Sequence, residues 1–171
     1  MRNFGLGVLV TLVVSAGVVY TAQNGETDLL REVRDRAAIE ELMWRYTRAL
    51  DTTDPDAYAA AYTPDGQFRA GATATTGRDA LRKMIADMRQ GNAAEAANGV
   101  RRPPMYHMTA NHVIRFIDED TARVEAYYLT AFGAAGPDTP LRIAAVGRSV
   151  DDLVRVDGRW LIKSRNVSPQ E

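Results

Sequence analysis

Apolar residues recur every three or four positions over residues 35–50, which predicts an amphipathic helix. The same spacing predicts a short second helix over residues 55–62, where Asp54 is placed to cap the first turn and Pro55 to open it. A third helix is predicted from Arg78 to a stop at Gly91. The first half of the domain is therefore predicted to be helical.

The second half of the chain has the pattern of strands. Long alternating or apolar segments predict strands over residues 105–117, 121–132, 141–156 and 159–167, and Asp157-Gly158 is a strong hairpin signal. Before them, residues 67–70 are predicted to form a short strand between a turn at residues 63–66 and a loop at residues 71–76. Residues 91–104 are predicted to form a long surface loop. Helices followed by an antiparallel meander predict one α+β domain over residues 35–168, with helices packed on a curved sheet.

The N-terminus has a different pattern. Arg2 precedes an apolar run over residues 4–20, and the first polar cluster begins at Gln23. This order predicts a signal peptide or an N-terminal membrane anchor over residues 1–22, followed by a linker or helix lead-in over residues 23–34. We therefore expect a protein that is exported to the periplasm or secreted, or one held at a membrane by its N-terminal segment.

Composition excludes several function classes. The 171 residues include 21 Lys and Arg against 22 Asp and Glu, and no basic stripe is present, which argues against nucleic acid as a partner. The absence of cysteine removes thiolate nucleophiles and Cys-based zinc sites. Neither a metal-ligand spacing nor a glycine-rich phosphate loop is found.

Asp51 is the first candidate for chemistry. It follows the predicted first helix directly, where the helix dipole disfavours a negative charge, and Asp54 already caps the next helix. A partner is available in His107, one of only two histidines, on the first long strand. An Asp–His pair can exchange a proton near neutral pH, and Tyr46 could polarise a substrate oxygen. Each residue also has a purely structural interpretation, with Asp51 closing a turn beside Thr52 and Tyr46 packed in the core.

Strand alternation predicts which residues share a face. His107, Asn111 and, on the neighbouring strand, Tyr127 are predicted to line one face, and His112 the opposite face, so that the two histidines cannot act together. A half-polar face of a curved sheet suits a cavity for a small hydrophobic molecule. We predict that Tyr127, Asn111 and Tyr58 contact the substrate.

Three segments resemble a known family. Asp35-Arg-Ala-Ala-Ile-Glu-Glu-Leu with Arg45-Tyr-Thr-Arg-Ala-Leu-Asp51, then Tyr62-Thr-Pro-Asp-Gly66, resemble the opening of the SnoaL-like branch of the nuclear transport factor 2-like superfamily. Residues 151–165 of this chain resemble the closing hairpin of that branch. Within that branch the chain is similar to the scytalone dehydratase, bile-acid dehydratase and hexachlorocyclohexane dehydrochlorinase group.

The resemblance implies a cone-shaped α+β barrel roll and a cofactor-independent β-elimination. Asp51 and His107 fall on the paired Asp and His of those enzymes, Tyr46 on a catalytic position, and Arg165 on an assisting arginine. The second acid or histidine of those enzymes is replaced here by Tyr127-Tyr128. Homodimers or homotrimers are usual in the superfamily.

Three functions remain open from the sequence. The first is a lyase or isomerase acting on a small hydrophobic ring-type substrate through Asp51 and His107. The second is an exported binding domain that uses the same cavity without catalysis. The third is an oligomeric assembly domain like the small subunits of dioxygenases. A cavity with Asp51 and His107 in hydrogen-bond contact would favour the first, and a filled cavity would favour the third.

Overall fold

The computed structural model describes residues 5–100, 102–134, 136 and 140–169. The chain divides into two compact units, Met1–Ala38 and Ile39–Glu171, and the core and the candidate site described below lie in the second. The helices are α1 (Gly5–Asp51), α2 (Pro55–Ala60) and α3 (Arg78–Ala97). The strands are β1 (Tyr62–Ala70), β2 (Thr73–Thr76), β3 (Met105–Phe116), β4 (Thr121–Phe132), β5 (Arg142–Val156) and β6 (Arg159–Asn166).

The six strands form one sheet in the order β2-β1-β6-β5-β4-β3. The four long strands make the predicted antiparallel meander, but β1 pairs with β6 in parallel, so that the sheet is mixed. The helices and the inner face of the sheet share one core of aliphatic and aromatic side chains, among them Ile39, Leu42, Tyr58, Tyr62, Leu81, Ile85, Leu153 and Ile162. The predicted α+β class is confirmed.

The predicted helix cap and the predicted hairpin both form where the sequence places them. Asp54 caps α2 through Oδ1, which accepts hydrogen bonds from the backbone of Asp56 and Ala57. Asp157 and Gly158 have φ of 50° and 73°, the left-handed pair that a two-residue hairpin of the type I′ class requires. These local signals are strong because each meets a backbone demand that few other residues can meet.

Three predicted connections are wrong. Residues 63–66 are not a free turn but part of β1, where the register with β6 shifts between Tyr62 and Gln67. Residues 73–76 form β2 because they pair with β1. Helix α3 runs past Gly91 to Ala97, since the alanine-rich segment that follows outweighs the cost of one glycine, about 1 kcal/mol. The predicted loop at 91–104 is thereby shortened to residues 98–104.

The signal peptide or membrane anchor expected over residues 1–22 stays a prediction. Residues 23–34, expected to be a linker or a helix lead-in, belong to helix α1. Residues 1–4 of the predicted leader lie outside the described residues. Among the helices that the structure describes, none combines the length and the apolar character needed to cross a membrane.

Candidate active site

The end of helix α1 frees the Asp51 side chain for a tertiary contact. The backbone N–H of Asp54 donates to Ala49 O at 2.8 Å, and that of Thr53 donates to Leu50 O at 3.1 Å. With Thr53 in the left-handed region at φ 49°, this is the Schellman arrangement, in which the backbone itself closes the helix. Asp51 therefore does not cap the turn, and its carboxylate is directed elsewhere.

Asp51 contacts His107 on β3. His107 Nδ1 lies 2.7 Å from Asp51 Oδ1, and the backbone N–H of His107 donates to the same oxygen at 3.1 Å. Asp51 is 7% exposed and His107 is 21% exposed, so that the pair is shielded from water but open on the imidazole side. Because a carboxylate only accepts, the Nδ1 atom carries the proton and Nε2 of the neutral ring is left as an acceptor. In the described part of the chain, Nε2 has no hydrogen-bond partner.

A bulge in β3 overturns the predicted separation of the two histidines. Ala110 pairs with Tyr127 and Val113 with Glu125, so that two residues of β3 oppose one residue of β4. Asn111, in the bulge, has φ of 52°. The extra residue moves His112 to the side of His107, because a one-residue shift exchanges the two faces of a strand.

Both histidines line a cavity of about 350 Å³ between helix α1 and the sheet. Its wall is mostly apolar, which suits a small hydrophobic molecule. His112 Nε2 lies 3.3 Å from Glu40 Oε1 on the exposed rim. The described lining residues are Ile39, Glu40, Met43, Trp44, Thr47, His107, Met108, Thr109, His112, Ile114, Val124, Ala126 and Asp151.

Asp151 is a cavity residue that the sequence analysis missed. It is fully buried, and Arg165 and Ser149 Oγ both donate to its Oδ2, with the serine at 3.5 Å. Burial raises the pKa of Asp151 to about 6, against the lowering effect of the Arg165 guanidinium. The inward-facing alternation of Ser149, Asp151 and Leu153 was the signal that could have identified it.

Arg165 and three tyrosines form a buried group next to this carboxylate. The Arg165 guanidinium lies 4.6 Å from the centre of the Tyr46 ring, and Tyr58 and Tyr62 share a hydrogen bond of 3.2 Å between their hydroxyls. Burial raises the pKa of Tyr58 and of Tyr62 well above its usual value. The phenols of Tyr58 and Tyr62 therefore stay neutral.

The remaining predicted site residues lie away from the cavity wall. Tyr46, Tyr58 and Arg165 are buried in the group just described. Tyr127 is 57% exposed on the outer face of β4, opposite to Val124 and Ala126, which face the cavity. The prediction that Asn111 and Tyr127 share a face with His107 is wrong, because it ignored the bulge in β3.

No metal cluster is apparent in the part of the chain that the structure describes, where no three His, Asp or Glu side chains are placed to hold an ion. Among the described residues, the ionisable groups that line the cavity are two histidines and the carboxyl groups of Glu40 and Asp151, and Asp51 contacts His107.

Solved structures share this fold. A protein from Novosphingobium aromaticivorans, provisionally named a scytalone dehydratase, is 28% identical, with a TM-score of 0.63 over 80% of this chain and 84% of that chain. A nuclear transport factor 2-like protein with a cystatin-like fold from the same organism is 22% identical, with a TM-score of 0.65 over 80% and 82% of the two chains. A protein from Catenulispora acidiphila, solved in complex with S-DNPA, is 24% identical, with a TM-score of 0.64 over 80% and 93%.

No curated protein matches the sequence. The model of the SnoaL-like domain matches residues 31–166, which include all the strands and the whole cavity. The chain therefore belongs to the SnoaL-like domain family, within the nuclear transport factor 2-like superfamily.

Proposed function

We propose that this protein is a cofactor-independent lyase or isomerase that removes a proton next to a carbonyl group of a small hydrophobic ring-type substrate. His107 is the general base, and Asp51 orients it. The observation that carries the proposal is the hydrogen bond of 2.7 Å between Asp51 Oδ1 and His107 Nδ1 at the wall of an apolar cavity.

The geometry supplies what a general base needs. The Asp51 carboxylate holds the neutral imidazole with its proton on Nδ1, which leaves the lone pair of Nε2 for the substrate. When Nε2 takes a proton, the negative charge of Asp51 offsets the positive charge that the ring gains. The backbone N–H of His107 donates to the same oxygen and fixes its position.

The cavity supports a hydrophobic substrate. Its wall contains Met43, Trp44, Ile114 and Val124, and its volume of about 350 Å³ suits a molecule of one or two rings. Two of the similar structures fit this proposal, since one carries the provisional name of a scytalone dehydratase and another holds a small molecule. Because the fold hosts many functions, these names alone do not assign one to this chain.

A binding domain without catalysis is the alternative that shares the cavity. It does not account for the contact between Asp51 and His107, since an apolar ligand needs no oriented base. An assembly domain would need neither the open cavity nor the pair. We therefore place the enzyme first.

The test is turnover of apolar ketones that carry a leaving group on the carbon β to the carbonyl. Full-length protein is incubated with them in heavy water, and elimination and deuterium exchange are followed by NMR. His107→Gln and Asp51→Ala are expected to lower the rate by about a hundredfold or more, whereas Asp87→Asn, an exposed acid on α3 bonded to Lys83, serves as the matched surface control. Binding by calorimetry without turnover in the wild type would favour the binding domain.

We also propose that the chain forms a homodimer or homotrimer through the outer face of the sheet. Leu129 pairs with Val146 across β4 and β5, and Val146 is 69% exposed. Tyr106, Tyr127 and Ile143 are also large apolar side chains with high exposure. A patch of this kind on a sheet favours burial against a second copy.

A further inference from the structure

The cavity wall contains a buried carboxyl group that the proposed base does not use. Asp151 lies on β5, in register with Val124 of β4 on one side and Arg165 of β6 on the other. Ile114, Val124 and Asp151 thus form one row of the inner sheet face, and all three contribute to the cavity wall. Asp151 is therefore a buried ionisable side chain in an apolar part of the cavity wall.

The two oxygens of this carboxyl group have different surroundings. Arg165 Nη1 and Ser149 Oγ both donate to Oδ2, whereas Oδ1 is buried without a hydrogen-bond partner among the described residues. A buried polar atom without a partner is destabilising, and more so when it is charged. A ligand in the cavity that forms a hydrogen bond with Oδ1 would remove this cost.

We propose that Asp151 binds the leaving hydroxyl group of the substrate and protonates it as the carbon–oxygen bond breaks, which makes the substrate a β-hydroxy carbonyl compound with an apolar ring. This assignment rests on the proposed function, because it supplies the acid that complements His107.

The step balances in atoms and charge. His107 Nε2 takes the proton from the carbon next to the carbonyl, and that electron pair forms the carbon–carbon double bond. The carbon–oxygen bond breaks, and the proton on Asp151 Oδ1 passes to the departing oxygen, which leaves as water. His107 is then an imidazolium and Asp151 a carboxylate, and a proton returned from the first to the second through solvent restores both.

The surroundings of Asp151 suit an acid that must release and regain a proton. Burial raises its pKa to about 6, so that a part of the population is protonated near neutral pH. The positive charge of Arg165, which is itself buried, limits the rise and stabilises the carboxylate that remains after proton transfer. Ser149, on the same strand, stabilises the same form through Oδ2.

The kinetic test compares two probes that differ only in their leaving group. They are the β-hydroxy ketone formed from benzaldehyde and acetone, and the β-chloro ketone of the same skeleton, whose chloride leaves without a proton. Asp151→Asn is expected to slow elimination of the hydroxy ketone by about a hundredfold and that of the chloro ketone by less than about tenfold. An equal loss on both probes, or no loss on either, would overturn the assignment.

A matched control lies on the same strand. Asp152 is paired with Arg123 at 2.8 Å and does not line the cavity. Asp152→Asn removes one neighbouring charge and is expected to change both rates by less than about twofold. His107→Gln is expected to slow both probes alike, which separates loss of the base from loss of the acid.

A measurement on the wild type keeps the assignment testable if Asp151→Asn does not fold. The full-length chain is labelled with ¹³C at the aspartate carboxyl groups, and binding is followed by calorimetry. The Asp151 resonance is expected to move with the hydroxy ketone and not with the ketone that lacks the hydroxyl. A resonance that stays in place while the ligand binds, or a cavity that binds no hydroxy ketone, would overturn the assignment. A shift of the Asp151 resonance without turnover of the hydroxy ketone would support binding of the hydroxyl group by Asp151 and would overturn its role as the acid in elimination.

Discussion

Asp51 Oδ1 accepts two hydrogen bonds from His107, one from the ring Nδ1 at 2.7 Å and one from the backbone N–H at 3.1 Å. A single oxygen thus fixes both the orientation of the ring and the position of the strand that carries it. The backbone N–H of His107 needs a hydrogen-bond acceptor. The oxygen that accepts from it is the same atom that lies against Nδ1, so that Nδ1 also faces an acceptor. The position of the proton on the neutral imidazole is therefore set by the fold.

The first prediction concerns the tautomer of neutral His107. In the wild type, ¹⁵N NMR is expected to find the proton on Nδ1 and an unprotonated Nε2. Asp51→Asn is expected to keep this tautomer, because the amide oxygen takes the place of Oδ1, whereas Asp51→Ala removes the acceptor and allows the proton to move to Nε2. A loss of activity in Asp51→Asn would then be caused by the lost negative charge of Asp51 and not by a change of tautomer. A wild-type ring with its proton on Nε2 would contradict the proposed base.

The second prediction concerns the residue that closes helix α1. Thr53 is β-branched and has φ of 49°, a conformation that costs a non-glycine residue about 1 kcal/mol. Thr53→Gly is expected to raise the free energy of unfolding by about 0.5 to 1 kcal/mol in denaturant titrations. The neighbouring Thr52→Gly is the control and is expected to destabilise, since Thr52 Oγ1 donates to Arg48 O at 2.7 Å. Equal effects of the two substitutions would show that the left-handed backbone is not the cause.

Some of the site could be predicted from the sequence because it rests on local signals. Asp51 was identified as an acid without a capping role, and the Schellman arrangement explains why it has none. The hairpin at Asp157-Gly158 and the bounds of β4 follow from turn chemistry and alternation. Each of these depends on a few neighbouring residues.

The rest depends on tertiary structure. The bulge at Asn111 places His112 beside the cavity, yet nothing in the sequence of residues 105–116 marks the position where the alternation shifts by one residue. Asp151 is followed directly by Asp152, and two adjacent acids are typical of an exposed segment. Only the register with Arg165 shows that one of the two carboxyl groups is buried. Long-range pairing of this kind is not encoded in periodicity.

The third prediction tests the outer sheet face. Val146→Lys introduces a charge into the exposed patch opposite Leu129 and is expected to shift the protein from dimer or trimer toward monomer in sedimentation velocity. Lys83→Ala on the exposed face of α3 is the control and is expected to leave the assembly unchanged. A wild type that sediments as a monomer, or a variant that assembles as the wild type does, would contradict the proposed interface.

The last prediction concerns the pH dependence of stability. The pKa of Asp151 is about 6 in the folded protein against an ordinary value of 3.8, so that between these values the folded state holds a proton that the unfolded state has lost. The free energy of unfolding then falls as pH rises through this range, because the unfolded state binds fewer protons. The contribution amounts to at most about 3 kcal/mol.

Asp151→Asn removes this contribution, so that the difference in unfolding free energy between wild type and variant is expected to shrink or reverse as pH rises from about 4 to about 6. Arg165 from β6, and Ser149 and Asp152 from the same strand, are present in both proteins. The carboxyl groups of Asp65, Glu95 and Asp118 have lowered pKa values, which give stability the opposite slope, but they act equally in both proteins and cancel in the difference. Parallel curves from urea unfolding at a series of pH values would show that the Arg165 charge fully compensates the burial of Asp151, which would leave this carboxyl group ionised and unable to act as an acid.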